Sequence, residues 1–161
     1  KEPDGPWYYQ QTDLGFNYRL SDIHAALGLS QLQRLDQYFS NRQTLASRYN
    51  ELLADLPVLL PLAFDDCYSA FHLYIIRIVP QKNTASHLEV FESLIAQGIG
   101  VNIHYIPVHL QPFYQQMGFK EGDFPEAESY YQQAITLPLY PTLTHQQQDQ
   151  VIAALTKALK L

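Results

Sequence analysis

The chain has 161 residues, a formal charge of −6, and a composition that is 47% hydrophobic and 13% aromatic. That is enough apolar content for a packed core and excludes general disorder. The negative charge argues against a broad nucleic-acid or anionic-membrane surface, which needs a clustered positive face, while still allowing a single phosphate pocket. Cys67 is the only cysteine. It cannot form an internal disulfide or a Cys/His zinc set, so a reducing, cytoplasmic setting is expected. No apolar run approaches the roughly 20 residues of a membrane-spanning helix, and no signal peptide is visible.

The chain opens at Lys1 without a methionine and runs through Pro3, Gly5, Pro6 and the cluster Trp7-Tyr8-Tyr9. The expectation is that it is cut from something longer. Gly15-Phe16-Asn17-Tyr18-Arg19-Leu20-Ser21-Asp22 follows, placing an amide and a guanidinium just ahead of a helix start. Ser21 suits the N-cap and Asp22 the positive end of the helix dipole. Asn17 and Arg19 are candidates to grip an anion. A loop in which Asn17 makes an Asx-turn and Arg19 pairs with a carboxylate is an equal alternative on this motif alone.

From Ser21 the apolar positions Ile23, Ala26, Leu29, Leu32, Leu35 and Phe39 recur at helical steps, resume at Leu45, Tyr49, Leu52, Leu53 and Leu56, and stop at Pro57. One helix of that length would span on the order of 50 Å. It is therefore expected either to bend near Ser40 and Asn41 or to be an arm leaning on another subunit or domain. Leu73 to Val79 reads as a strand with Arg77 as its outward charge. A helix carrying Leu88, Phe91, Leu94 and Ile95 should end at Gly98, and Ile99 to Ile103 reads as a second short strand.

His104 to Gln115 is rich in aromatics, proline and histidine, and reads as a loop followed by a short helix around Pro112, Phe113 and Tyr114. Strand alternation would put Asn102, His104 and Ile106 on one face and Tyr105 on the other. An amide, an imidazole and a phenol together could bind a polyhydroxylated or phosphorylated ligand; the alternative is that His104 and Tyr105 are half-buried and satisfied by backbone groups. His104 and His109 make a poor zinc pair, being five apart with no acidic third ligand nearby. A helix from Pro125 should reach about Ala134, with Glu126 and Glu128 solvated in its first turn and unsuited to acid and base roles. Ile135 to Leu139 reads as an edge-like strand because Pro138 cannot donate to a ladder. Thr144 and Gln147 form a capping box ahead of a final amphipathic helix.

The fold class expected is α+β, a long N-terminal helical arm followed by a small three-stranded sheet covered by helices. The expected division is a motif segment at 1–20, the arm at 21–57 and a small α+β domain at 58–161. The twelve tyrosines lack the basic groove of a single-strand binder. No P-loop, GxGxxG, GxSxG or HExxH motif is present.

Leu14 to Gly28 with Gln31-Leu32, then Val101 to His109, Gly122 to Glu128 and Leu137 to Pro141 resemble, in that order, the pyridoxal-phosphate-dependent sugar aminotransferases of the DegT/DnrJ/EryC1/StrS type. With Trp7-Tyr8-Tyr9 and Gln111-Pro112-Phe113-Tyr114 added, the sequence is most similar to the branch that aminates C4 of a UDP-linked 4-keto-6-deoxy-N-acetylhexosamine in pseudaminic acid biosynthesis. The resemblance implies the C-terminal domain of a fold-type I enzyme, a homodimer whose cofactor lies between subunits, with a UDP-sugar substrate, L-glutamate as amino donor, and no nucleic-acid or membrane partner. It implies that Asn17 reaches the phosphate of the neighbour's pyridoxal phosphate, and that Arg19, Asn102, His104 and Tyr105 face the sugar nucleotide.

It also implies that the large cofactor domain, with the lysine that holds the cofactor, lies upstream of residue 1. None of Lys1, Lys82, Lys120, Lys157 and Lys160 has the family's setting for that lysine. The chain alone is therefore expected to contain no catalytic residue and to be inactive. A sugar dehydratase of the same fold, a non-catalytic dimerisation or binding module, and a small hydrolase using His104 or His109 as base are the alternatives.

Overall fold

The computed structural model describes residues 13–16, 18–62, 64, 66–80 and 85–160. These fall into two compact units that divide at Leu35 and Asp36.

In the first unit, α1 spans Asp22–Leu32. Its start is set locally: Ser21 is extended and its hydroxyl accepts from the His24 amide, as the sequence predicts. No residue of α1 is buried. The single long helix expected from Ser21 to Leu56 is instead two helices. The chain turns at Gln33 and Arg34, where the Arg34 amide donates to Gln31 O and its side chain donates back to Ser30 O and Oγ at 3.2 and 3.0 Å. Ser40 and Asn41, the expected bend, lie within uninterrupted helix.

That second helix, α2, spans Leu35–Leu52 and from Asp36 onward belongs to the second unit. The remaining elements are β1 (Val58–Leu59), β2 (Tyr74–Ile78), α3 (His87–Ala96), a 3-10 turn (Val108–Leu110), α4 (Pro112–Gln115), α5 (Pro125–Tyr131), β3 (Ala134–Leu137) and α6 (His145–Ala158). The sheet is antiparallel in the order β1-β2-β3. Alternation along β2 sends Tyr74, Ile76 and Ile78 into the core, where they join Leu45, Tyr49 and Leu53 of the α2 end, Val90 and Leu94 of α3, and Val151, Leu155 and Leu159 of the α6 end. Ile75 and Arg77 face the other way, into a groove of about 560 Å³ shared with Leu59, Leu62, Leu73 and Tyr130.

Three strands form, but they are not the three expected. Ile99 to Ile103 is not a strand; it reaches the sheet only through a bridge between Asn102 and Thr136. Val58 and Leu59 supply the third strand instead, because Val58 and Leu59 find register opposite Ile78 and Arg77. The helix from Pro125 stops at Tyr131, three residues short of Ala134, which already belongs to β3.

Two polar ties lock α2 to α6. Gln148 is fully buried, and its amide donates to Leu45 O at 2.9 Å while its carbonyl accepts from Arg48. Arg48 also meets Asp149 at 2.6 Å. Burial pushes the phenols of Tyr49 and Tyr74 above their ordinary range, so both stay neutral donors, to Pro138 O and Asn50 Oδ1 respectively.

Candidate functional site

The site is built on β3 and the segment that bridges to it. Thr136 sits in β3, 7% exposed, its backbone paired to Ile75 on one side and Asn102 on the other. The Thr136 amide donates to Asn102 O at 2.8 Å, and the Asn102 side chain accepts from the Ile103 amide at 2.8 Å. This local bond satisfies the Ile103 amide outside any ladder, and pairing with β3 is confined to the single bridge at Asn102.

His104 is the next fixed point. Its Nδ1 shares a hydrogen bond of 2.7 Å with Thr136 Oγ1. With Nδ1 engaged, Nε2 is the ring's remaining hydrogen-bonding atom. The ring of Tyr105 stands edge-on to that imidazole at 4.6 Å and is 70% exposed. His104 is thus half-buried but anchored by a side-chain hydroxyl rather than by the backbone, and Tyr105 is not half-buried. His104 and Tyr105 are in ring contact, and Asn102 and His104 both meet Thr136, the first through its backbone and the second through its side chain.

Arg19 belongs to the first unit, where it is exposed and donates to Tyr18 O at 3.3 Å, two residues before the capped start of α1. Asn17 lies outside the described residues.

Sequence reasoning missed the pair that closes the other end of the loop. His109 is 7% exposed and its Nε2–H donates to Glu128 Oε1 at 2.7 Å. The Glu128 side chain is only 12% exposed, so its expected solvation is corrected. Its carboxylate also accepts from the Gly122 amide at 2.8 Å and, more weakly, from the Phe124 amide at 3.5 Å. The His109 hydrogen bond, ahead of these amides, holds the Glu128 carboxyl below its ordinary range despite desolvation. No signal along the chain links the two residues, which lie 19 apart, and the contact of the Phe124 ring with His109 at 4.8 Å is likewise made only in the fold. A carboxylate among aromatics needs a donor, and His109 is the donor.

Among the described residues no group of three or more His, Cys, Asp or Glu could hold a metal ion, and no helix is long and apolar enough to cross a membrane. No described lysine has a dry environment: Lys120 is 79% exposed, and Lys160 is 55% exposed and bonded to Glu89.

Residues 2–156 match the DegT/DnrJ/EryC1/StrS aminotransferase family. The chain belongs to this family. It is 39% identical over 160 residues to the spore coat polysaccharide biosynthesis protein SpsC of Bacillus subtilis, covering 98% of this chain and 41% of SpsC. Among solved structures it is similar to Helicobacter pylori PseC, an aminotransferase involved in the biosynthesis of pseudoaminic acid, with 28% identity, a TM-score of 0.82, and coverage of 97% of this chain and 42% of PseC. It is also similar to NtdA of Bacillus subtilis with bound cofactor PMP, at 26% identity and a TM-score of 0.80, covering 94% of this chain and 35% of NtdA. The chain thus spans about 40% of the length of the proteins it matches.

Asn17, the residue expected at the phosphate of pyridoxal phosphate, lies outside the described residues, and Arg19 stands two residues before the capped start of α1. A guanidinium beside a helix start suits a phosphate-bearing ligand, whereas no described lysine is desolvated enough to hold the aldehyde carbon.

Proposed function

We propose that this chain is the C-terminal domain of a homodimeric, pyridoxal-phosphate-dependent aminotransferase. In this reading the enzyme carries an amino group from L-glutamate to C4 of a UDP-linked 4-keto-6-deoxy-N-acetylhexosamine. The observation that carries it is family membership across residues 2–156 joined to the ties of Asn102 and His104 to Thr136 in β3, with Tyr105 against His104. The likeness to PseC supports the choice of sugar.

The cofactor, when bound, would carry the amino group between donor and acceptor. This chain's residues hold the ligands around it. Asn17 donates to the cofactor phosphate of the neighbouring subunit, and Arg19 neutralises the diphosphate of the sugar nucleotide. Asn102 and His104 bond sugar hydroxyl or acetamido groups, and the exposed ring of Tyr105 covers the sugar and excludes water. The chain alone lacks the cofactor lysine in this reading and is inactive. Homodimerisation is supported by α1, whose Ile23, Leu27, Leu29 and Leu32 are each more than half exposed.

The test is the ultraviolet–visible spectrum of the intact protein before and after L-glutamate, followed by addition of the UDP-keto sugar. A cofactor band that is lost with glutamate and returns with the sugar is the expected result. A protein that shows no such band after incubation with pyridoxal phosphate overturns the reading. The Asn17 role has its own check: Asn17→Ala should weaken cofactor retention by about 1.5–3 kcal/mol, the worth of one charge-assisted hydrogen bond, in equilibrium dialysis.

A further inference from the structure

Four residues separate His104 from His109, and both ends of that stretch are tied to one continuous piece of the fold. At the first end His104 bonds Thr136 in β3 at 2.7 Å; at the second, His109 bonds Glu128 in α5 at 2.7 Å. Helix α5 runs directly into β3, with Gln133 O accepting from the Ile78 amide, so the two anchors stand on a single unit already paired to β2. Between them, Tyr105 and Ile106 are exposed and Pro107 is buried.

We propose that Glu128, acting through His109, is a positioning residue for the sugar-nucleotide site: it fixes the downstream end of a strap whose upstream end is the His104 and Thr136 pair. This rests on the function proposed above. A strap held only at His104 would let Tyr105 sample many directions, and ordering it would then be charged against ligand binding. Holding both ends removes that cost before the ligand arrives. Glu128 suits the task because its carboxylate has several acceptor sites. While one oxygen takes the His109 proton, the group also takes the Gly122 amide and so secures the turn that brings Phe124 against the imidazole.

The experiment uses the intact protein and the variants Glu128→Ala, Glu128→Gln and His109→Gln. Hydrogen exchange across residues 104–111 is read alongside the glutamate half-reaction and the KM for the UDP-keto sugar. In Glu128→Ala, exchange across the strap should rise while that of β2 and α6 stays at the wild-type level. KM for the sugar should rise about tenfold, with the glutamate half-reaction unchanged. Glu128→Gln, which keeps one acceptor for His109, should recover part of both losses. His109→Gln keeps a donor for Glu128 and guards against a folding defect in the alanine variant.

Unaltered strap exchange in Glu128→Ala overturns the proposal, as does an unaltered sugar KM in that variant. If the wild-type protein shows no glutamate half-reaction, the function proposed above fails instead, and the exchange data alone decide whether the strap is real.

Discussion

Helices α1 and α6 are both well started, and they end up in opposite environments. Each has an N-cap hydroxyl bonded to the amide three residues on, Ser21 to His24 and Thr144 to Gln147. Yet α6 buries Gln148, Val151, Ala154, Leu155 and Ala158, while α1 buries nothing. Their sequences explain the contrast. The apolar residues of α6 lie on one face, Gln148 among them, with Gln146, Gln147, Asp149 and Gln150 exposed; those of α1 spread more widely, with Ile23 and Leu27 on one side of the helix and Leu29 and Leu32 on another. A stripe specifies one neighbour, whereas a girdle asks for cover on several sides. Capping decides that a helix forms, and the distribution of apolar side chains decides how much else must be present to bury it.

Substitutions can break or sharpen that contrast. The largest effect is expected in the core under α6: Leu155→Ala, at a fully buried position, should cost about 2–5 kcal/mol in urea unfolding through lost burial and the cavity left behind. Next is Gln148→Ala, which strips Leu45 O of its buried donor and should cost about 1–3 kcal/mol by the same measurement. Ser21→Ala should cost about 1 kcal/mol, confined to α1 and seen as faster amide exchange in its first turn.

Smallest is Leu29→Ala, within about 0.5 kcal/mol for this chain alone because the residue is 61% exposed. If α1 is covered in the homodimer proposed above, the same change in the intact protein should weaken association severalfold in sedimentation. A large loss of stability in the isolated chain would show instead that α1 is buried within it.

The acid limb tests a different cap. Glu89 closes the capping box of α3: the Ser86 amide donates to its carboxylate at 2.7 Å, and this bond, before those from the Ser86 hydroxyl and Lys160, holds its pKa down at about 2. A carboxyl lowered on folding contributes stability that is complete above its unfolded value of 4.5 and is lost as pH falls through the folded value. The carboxyl carbon of Glu89 should therefore titrate near pH 2 in NMR, and Ser86→Ala, which removes the hydroxyl but leaves the backbone amide in place, should raise the midpoint only part of the way.

What could be read in the sequence was set within a few residues of itself. The caps at Ser21 and Thr144, the stop of α3 at Gly98 with its φ of +78°, the proline start of α5 and the course of β2 all depend on neighbours in the chain. What could not be read was settled at a distance. Val58 and Leu59 are a strand only because β2 offers them a register, and Ile99 to Ile103 is not one, its pairing with β3 being confined to the single bridge at Asn102. The turn at Gln33 and Arg34 carries no proline or glycine; it depends on a guanidinium reaching back to Ser30. Asn102, His104 and Tyr105 are adjacent and so could be grouped by reading along the chain. Glu128 could not be assigned to His109, because the bond joins a turn to a helix on the far side of α4.

The order of pairing in the sheet carries a consequence for how the molecule assembles. Strands β2 and β3 lie side by side, yet the chain between Ile78 and Ala134 contains α3, the strap, α4 and α5. Closing that register is a long-range event with a large entropic cost, and chains dominated by such contacts reach the native state slowly. The loop from His104 to Gln111 lies inside the very excursion that separates β2 from β3 along the chain. The Thr136 hydroxyl that holds His104 belongs to β3, so this anchor depends on the same long-range pairing as the sheet.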